Sequence, residues 1–305
     1  MKNKKLLGNI MLLVTAAIWG IAFVFQRTGM EYVGPFTFGA SRMTLSAVMI
    51  WAVTLAMEAG AKKGPENKRP SGEYKRNSII GGLCCGCALM AATTTQQIGL
   101  IYTEAGKAGF LTALYIVLVP VISLVVLKRR MSLITAFGVV LGTAGLYLLS
   151  INGDFVIERG DAFVIVCAVC FSIQILLIDH FVVKAYPIMI AAVQFTVCAV
   201  ISWVLAFIFE TPDVEGIGAA ASGILYCGIL SGGCGYTFQM AAQKYTEPTA
   251  ASLLMSLESV FALIGGTLIL HEVRTTREII GCIIMFAAII IVQLPASFGG
   301  GKEEK

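Results

Sequence analysis

PTAASLLMSLESVFALIGGTLIL, residues 248–270, holds one charge, Glu258, in 23 positions. A run of about 20 apolar residues spans the hydrocarbon core of a bilayer as a helix. A carboxyl near the middle of such a helix costs roughly 2.5–3.5 kcal/mol on insertion scales, and by default marks a functional site. The whole chain follows this pattern. Of its 305 residues 57% are hydrophobic and 13% charged, against about 25% charged in a soluble domain. So apolar a chain cannot cover a soluble surface. Its +4 net charge belongs to loop lysines and arginines rather than to a nucleic-acid footprint.

Ten spans of this kind are predicted: 6–26, 35–57, 79–101, 105–127, 132–150, 161–178, 187–209, 217–242, 248–270 and 276–294. The first is longer than the roughly 7–15-residue core of a signal peptide and is expected to stay in the protein as span 1. Span 8 is diluted by Gly228, Gly232, Gly233 and Gly235. The longest connection, 59–77, is basic and polar, and no room remains for a soluble domain. If the N-terminus is cytoplasmic, sixteen of the 22 lysines and arginines fall on the inner side, five on the outer, and Arg42 lies within span 2. This bias puts both termini in the cytoplasm, as an even number of spans requires.

The two halves repeat. A shift of 152 residues pairs Gly8 with Gly160, Trp19 with Phe171, Pro35 with Pro187 and Trp51 with Trp203. A shift of 143 pairs Cys84 with Cys227, Gln96 with Gln239, Tyr102-Thr103-Glu104 with Tyr245-Thr246-Glu247, and Gly138 with Gly281. Residues 1–152 and 153–305 each carry five spans. Because five is odd, the second half enters the membrane from the opposite side. The fold class is therefore an all-α membrane protein of ten transmembrane helices, arranged as two inverted five-helix repeats. Secondary transporters use this architecture, with the substrate site near the midplane between the repeats.

The candidate site residues lie deep in the spans. Arg42 is seven residues into span 2, about 10 Å from the outer face, and Glu258 ten residues into span 9, about 15 Å from the inner face. Two readings stand: an intramembrane charge pair clamping spans 2 and 9, or a carboxyl that binds a proton or a substrate amine. A carboxyl kept dry and away from cations favours its protonated form, which suits proton coupling. Tyr115 is the repeat mate of Glu258 and is placed to complete a site across the axis. Gln97, Gln174 and Gln239 are candidate cavity residues, since a buried amide needs hydrogen-bond partners. Gln96 shares its structural role with its mate Gln239, and Gln194, the mate of Arg42, is expected in packing. Trp19 and Tyr236 are candidates for a cavity wall, whereas Trp51 and Trp203 suit interfacial anchors. Gly138-x-x-x-Gly142 and Gly228-x-x-x-Gly232 are small-residue packing faces, and Gly232-Gly233 would let span 8 bend.

Other chemistries find little support. The nine cysteines all fall in apolar runs, unlike a secreted disulfide framework. Cys167-x-x-Cys170 lacks a second ligand pair at zinc spacing. His271-Glu272 is not an H-E-x-x-H zinc site, because Thr275 stands where the second histidine belongs. No phosphate-cradling loop appears. No metal, cofactor or nucleic-acid partner is expected.

The chain resembles the ten-helix EamA-type branch of the drug/metabolite transporter superfamily. The matching stretches are Ala16-Ala17-Ile18-Trp19-Gly20, Arg42, Phe110-Leu111-Thr112-Ala113-Leu114-Tyr115 with Pro120, Ser256-Leu257-Glu258-Ser259-Val260-Phe261, and His271-Glu272 followed by Gly281. The resemblance implies two facing five-helix bundles around a cavity lined mainly by spans 1, 3, 4, 6, 8 and 9, with span 2 more peripheral. Two departures stand out. Ser259 replaces a proline that many members carry, so span 9 is expected to be straighter here, and Arg129 replaces an acid equivalent to Glu272. The expected function is secondary transport of a small metabolite, an amino acid or related compound, with export the lean the family gives. Its partners would be that solute and the lipid bilayer. Proton coupling, facilitated flux and exchange are all open, as are monomer and homodimer. An intramembrane enzyme and a non-transporting scaffold are the alternatives.

Overall fold

The computed structural model describes residues 2–63, 72–102, 105–151, 159–270 and 275–293. Outside them lie Thr103 and Glu104 of the repeated triplet, His271 and Glu272, and residues 64–71 of the expected long loop. The described residues are overwhelmingly helical: α1 (Lys2–Gly29), α2 (Pro35–Lys63), α3 (Gly72–Tyr102), α4 (Ala105–Ala113), α5 (Tyr115–Val125), α6 (Leu133–Ser150), α7 (Arg159–Val182), α8 (Pro187–Phe209), α9 (Val214–Ala219), α10 (Ala221–Leu225), a π-helical segment (Tyr226–Gly235), α11 (Tyr236–Gln243), α12 (Pro248–Met255), α13 (Glu258–Leu270) and α14 (Thr276–Gln293). Residues 59–63 and 72–77, expected in a loose loop, instead continue α2 and begin α3. Eight stretches among the described residues are long and apolar enough to cross a membrane. The two other expected spans are also helical. One runs through α9, α10, the π segment and α11; the other is α14.

Large apolar side chains cover the outside. Leu268, Val140 and Phe207 are about 70% exposed, an arrangement that water penalises and lipid accepts. Leu12, Ile116, Leu146 and Leu253 are fully buried in a core between the halves.

The helices pack as repeat mates. α2 lies against α8 and α6 against α14, each pair being mates of one another. α3 packs on α7, and correspondingly α1 packs on the π segment and α11. α1 packs on α13, and correspondingly α7 packs on α4 and α5. All these contacts join one half to the other, so the repeats interlock rather than sit side by side. Side chains obey the same two-fold relation. Trp51 Nε1 donates to Thr196 Oγ1 at 2.9 Å, and their mates Trp203 Nε1 and Thr44 Oγ1 are also 2.9 Å apart. The two tryptophans expected as interfacial anchors thus tie α2 to α8.

Glycines set the closest approaches. A Cβ at Gly145 would lie 2.8 Å from the Gly281 carbonyl oxygen, and one at Gly281 2.6 Å from that of Gly145. Gly138 faces Ala288 and Val292 of α14, Gly142 faces Leu253 and Ile116, and Gly228 and Gly232 face Leu45 and Ser46 of α2. Both small-residue faces therefore serve packing within the chain. The bend expected at Gly232-Gly233 is a ten-residue π-helical run. Side chains from α1 and α2 satisfy backbone carbonyls there, as a membrane interior requires: Ser46 Oγ donates to Gly228 O at 2.7 Å, Trp19 Nε1 to Ser231 O at 3.1 Å and Thr15 Oγ1 to Gly235 O at 3.2 Å.

Span 9 is broken rather than straight, although Ser259 removes the proline. α12 ends at Met255 and α13 begins at Glu258. The Leu257 amide bonds to the Leu254 carbonyl at 3.3 Å and the Ser259 amide to the Ser256 carbonyl at 3.2 Å, three residues back instead of four. Ser256 Oγ also donates to the Leu253 carbonyl at 2.8 Å, a back-bond that loosens helices. The mate of this break lies between α4 and α5, where the Leu114 amide bonds to the Leu111 carbonyl at the same 3.3 Å. The break belongs to the repeat, and proline is not needed for it.

Candidate functional site

The two breaks bring Tyr115 and Glu258 to the starts of α5 and α13, and the side chains meet. Tyr115 Oη donates to Glu258 Oε1 at 2.9 Å, with the two residues 3% and 6% exposed. Residues related by the repeat can touch each other only on the pseudo-two-fold axis, so this bond lies on it. Gly20 allows the arrangement. A Cβ there would stand 2.5 Å from the Glu258 carbonyl oxygen, so α1 lies directly against the α13 backbone.

A cavity of about 50 Å³ opens beside the bond, lined by seventeen of the described residues. Such a volume holds a few waters and is small against the roughly 300–1,000 Å³ of ligand pockets. Fourteen of the seventeen form seven pairs of repeat mates: Trp19 and Phe171, Ala22 and Gln174, Phe23 and Ile175, Thr93 and Tyr236, Gln96 and Gln239, Thr112 and Met255, Tyr115 and Glu258. The cavity therefore straddles the axis and takes a wall from each half. Gln26, Arg42 and Ser231 line it without their mates.

Polar groups converge around this space. Gln174 Nε2 donates to Gln194 Oε1 at 3.2 Å, and Gln239 Nε2 reaches Gln174 Oε1 at 3.5 Å. Gln96 Nε2 donates to Thr112 Oγ1 at 3.2 Å. The Tyr236 ring packs on Trp19 at 4.6 Å and on Phe195 at 5.3 Å between centroids. Among the described residues no group of three or more His, Cys, Asp or Glu side chains could hold a metal. Among the described residues the cysteines form no disulfide.

Six of the seven expected cavity residues, Trp19, Tyr115, Gln174, Tyr236, Gln239 and Glu258, line this space. Two expectations need correction. Gln97 does not line it. Successive helical residues point about 100° apart, so Gln96 takes the cavity and Gln97 turns toward Gly39, where a Cβ would lie 3.4 Å from its Oε1. Nor do Arg42 and Glu258 form a charge pair, since no bridge within 4.0 Å joins them. Glu258 is held by Tyr115, while Arg42 lies over the Phe38 ring at 6.0 Å and its Nε has no hydrogen-bond partner. Both charges instead open on the same cavity. The repeat register held the signal for the residues missed. Gln96 and Phe171 are mates of Gln239 and Trp19, and a site on the axis recruits both members of a pair.

A model of the EamA-like transporter family matches residues 6–151 and again 158–294. The chain belongs to the EamA-like transporter family. It is 29% identical over 95% of its length to 87% of an uncharacterized transporter of Archaeoglobus fulgidus. It is also 27% identical over 90% of its length to 92% of the uncharacterized transporter YoaV of Bacillus subtilis. A WAT1-related chloroplastic protein of Arabidopsis thaliana is 23% identical over 91% of this chain and 67% of its own. One solved crystal structure superposes with a TM-score of 0.77 at 16% identity, over 94% of this chain and 96% of that one. That likeness shows the fold. This member of the family is a multi-pass membrane protein with a transporter's architecture.

Proposed function

We propose that the protein is a secondary transporter that moves a small metabolite, an amino acid or related compound, across the cell membrane by alternating access, in the direction of export. The observation that carries this reading is the cavity built from repeat mates around the Tyr115–Glu258 bond. A site on a pseudo-two-fold axis keeps nearly the same walls when the two halves exchange roles. Access can then pass from one face to the other without dismantling the binding surface. Residues 1–152 and 153–305 are the exchanging units, with five spans each. Both termini face the cytoplasm, in keeping with the lysine and arginine bias. Glu258 is the titratable group available for coupling to protons.

Uptake and counterflow of labelled amino acids and related metabolites in proteoliposomes test the proposal. Saturable exchange across the bilayer is the expected result, and Glu258→Gln should alter its rate or its pH profile. Turnover of a solute without translocation would turn the reading toward an intramembrane enzyme. Non-saturable conductance would turn it toward a channel. An unaltered rate and pH profile in Glu258→Gln would remove the carboxyl from the mechanism.

A further inference from the structure

Most of the cavity's walls are repeat mates, but its charged groups are not. Its acidic and its basic departure from the repeat are Glu258, whose mate is Tyr115, and Arg42, whose mate is Gln194. Glu258 is answered by the Tyr115 hydroxyl at 2.9 Å. Arg42 is not answered. It is 7% exposed, its Nε has no hydrogen-bond partner, and no carboxylate lies within 4.0 Å of it among the described residues. Its contact with the Phe38 ring, 6.0 Å from the centroid, supplies only the weak attraction of a cation over a π face. A buried guanidinium normally has an anionic partner, because taking its charge out of water is expensive.

We infer that Arg42 is the receptor for a carboxylate on the transported solute. This rests on the transporter reading above and adds the class of its substrate. The location fits a receptor. Arg42 and Gln26 extend the cavity beyond its mated walls, toward the C-terminal end of α1 and the N-terminal end of α2. The Oε1 of Gln26 is buried and also lacks a partner; as an acceptor it would take an N–H or O–H of the solute rather than the carboxylate. A solute entering from that end meets Arg42 and Gln26 together with the axial Tyr115–Glu258 pair. The charge count selects the anion. Among the described residues Arg42 is the one cationic side chain lining the cavity, and Glu258 is the one acidic side chain. A single carboxylate neutralises Arg42 and matches the planar fork of a guanidinium. A phosphate dianion would bring a second negative charge with no cation to meet it and Glu258 to repel it. An uncharged solute would leave Arg42 as it is, a buried charge without a counterion.

The test uses the full-length protein in proteoliposomes and, in parallel, thermal unfolding of the purified protein. The probes are matched acid and amide pairs: propionate and propionamide, L-alanine and L-alaninamide, L-leucine and L-leucinamide, L-glutamine and its α-amide. The acids should be exchanged and should raise the melting temperature. Each amide should act roughly ten- to a hundredfold more weakly, the factor expected for a lost charge-assisted hydrogen bond. Arg42→Gln should remove the preference for acid over amide, and Arg42→Lys should retain part of it. The lysine variant keeps the test informative if Arg42→Gln does not fold. Equal response to acid and amide, a response confined to amides, a preference that survives Arg42→Gln, or no response to any acid would each overturn the inference. Saturable transport of an uncharged solute would overturn it while leaving the transporter reading intact.

Discussion

Gly20→Ala tests whether the α1–α13 contact positions Glu258. The new Cβ would stand 2.5 Å from the Glu258 carbonyl oxygen, 2.5 Å from Phe261 Cβ and 2.6 Å from the Ala262 amide nitrogen. Ordinary contacts begin near 3.4 Å, so the two helices must part by about 1 Å, and all three obstacles are backbone or Cβ atoms that cannot rotate away. Overpacking of this kind costs about 1–3 kcal/mol. The better helix propensity of alanine offsets about 0.4–1 kcal/mol of that. At mid-range the net loss is about 1.3 kcal/mol, and at about 2–4 °C per kcal/mol the melting temperature should fall by about 3–5 °C. Moving Glu258 by about 1 Å would also stretch its 2.9 Å bond to Tyr115 beyond hydrogen-bonding range, so transport should fall as well. Gly109→Ala in α4 is the control, since a Cβ there meets nothing within 4 Å. Thermal unfolding in detergent and exchange in proteoliposomes measure both effects. If Gly20→Ala melts no lower than Gly109→Ala and transports at the wild-type rate, close α1–α13 packing does not hold the site.

Tyr115→Phe removes the one hydroxyl that answers Glu258; stability should fall by about 1–3 kcal/mol, and an unchanged melting curve would contradict the bond. The Glu210 carboxylate accepts from the Phe36 and Thr37 amides at 2.9 and 2.8 Å and from Thr37 Oγ1 at 2.6 Å, which caps the α2 N-terminus. Glu210→Ala should therefore cost about 0.5–2 kcal/mol and speed hydrogen exchange at those two amides, and equal exchange would refute the cap. Arg129 bridges Asp179 at 2.6 Å but is half exposed. A double-mutant cycle should give a coupling of at most about 1 kcal/mol, shrinking as salt is added, and a larger, salt-insensitive value would show the pair to be shielded from solvent. The Arg129→Asp, Asp179→Arg exchange should recover the stability that either reversal alone loses.

Most of the fold could be read from residue order, because membrane insertion depends on local runs of apolar side chains and on loop charge. The repeat was equally legible. The pairing of Tyr115 with Glu258 in the 143-residue register anticipates their contact on the axis, and six of the seven residues expected at a cavity line the one described here. Facing was harder. Gln96 and Gln97 are adjacent and chemically identical, and only their rotation about the α3 axis separates a cavity residue from a wall residue. The break in span 9 was also hidden, because serine back-bonding and backbone bonds three residues apart replace the proline that would have announced it.

Sequence by itself determined that this chain spans a membrane as two inverted repeats and that Glu258 and Arg42 are its deep charges. Tertiary structure alone decided what the charges do to each other. Depth along two helices does not specify the rotation or separation of those helices, and an ion pair needs both. The packed helices turn Glu258 to a tyrosine across the axis and leave Arg42 facing the same cavity without a counterion among the described residues.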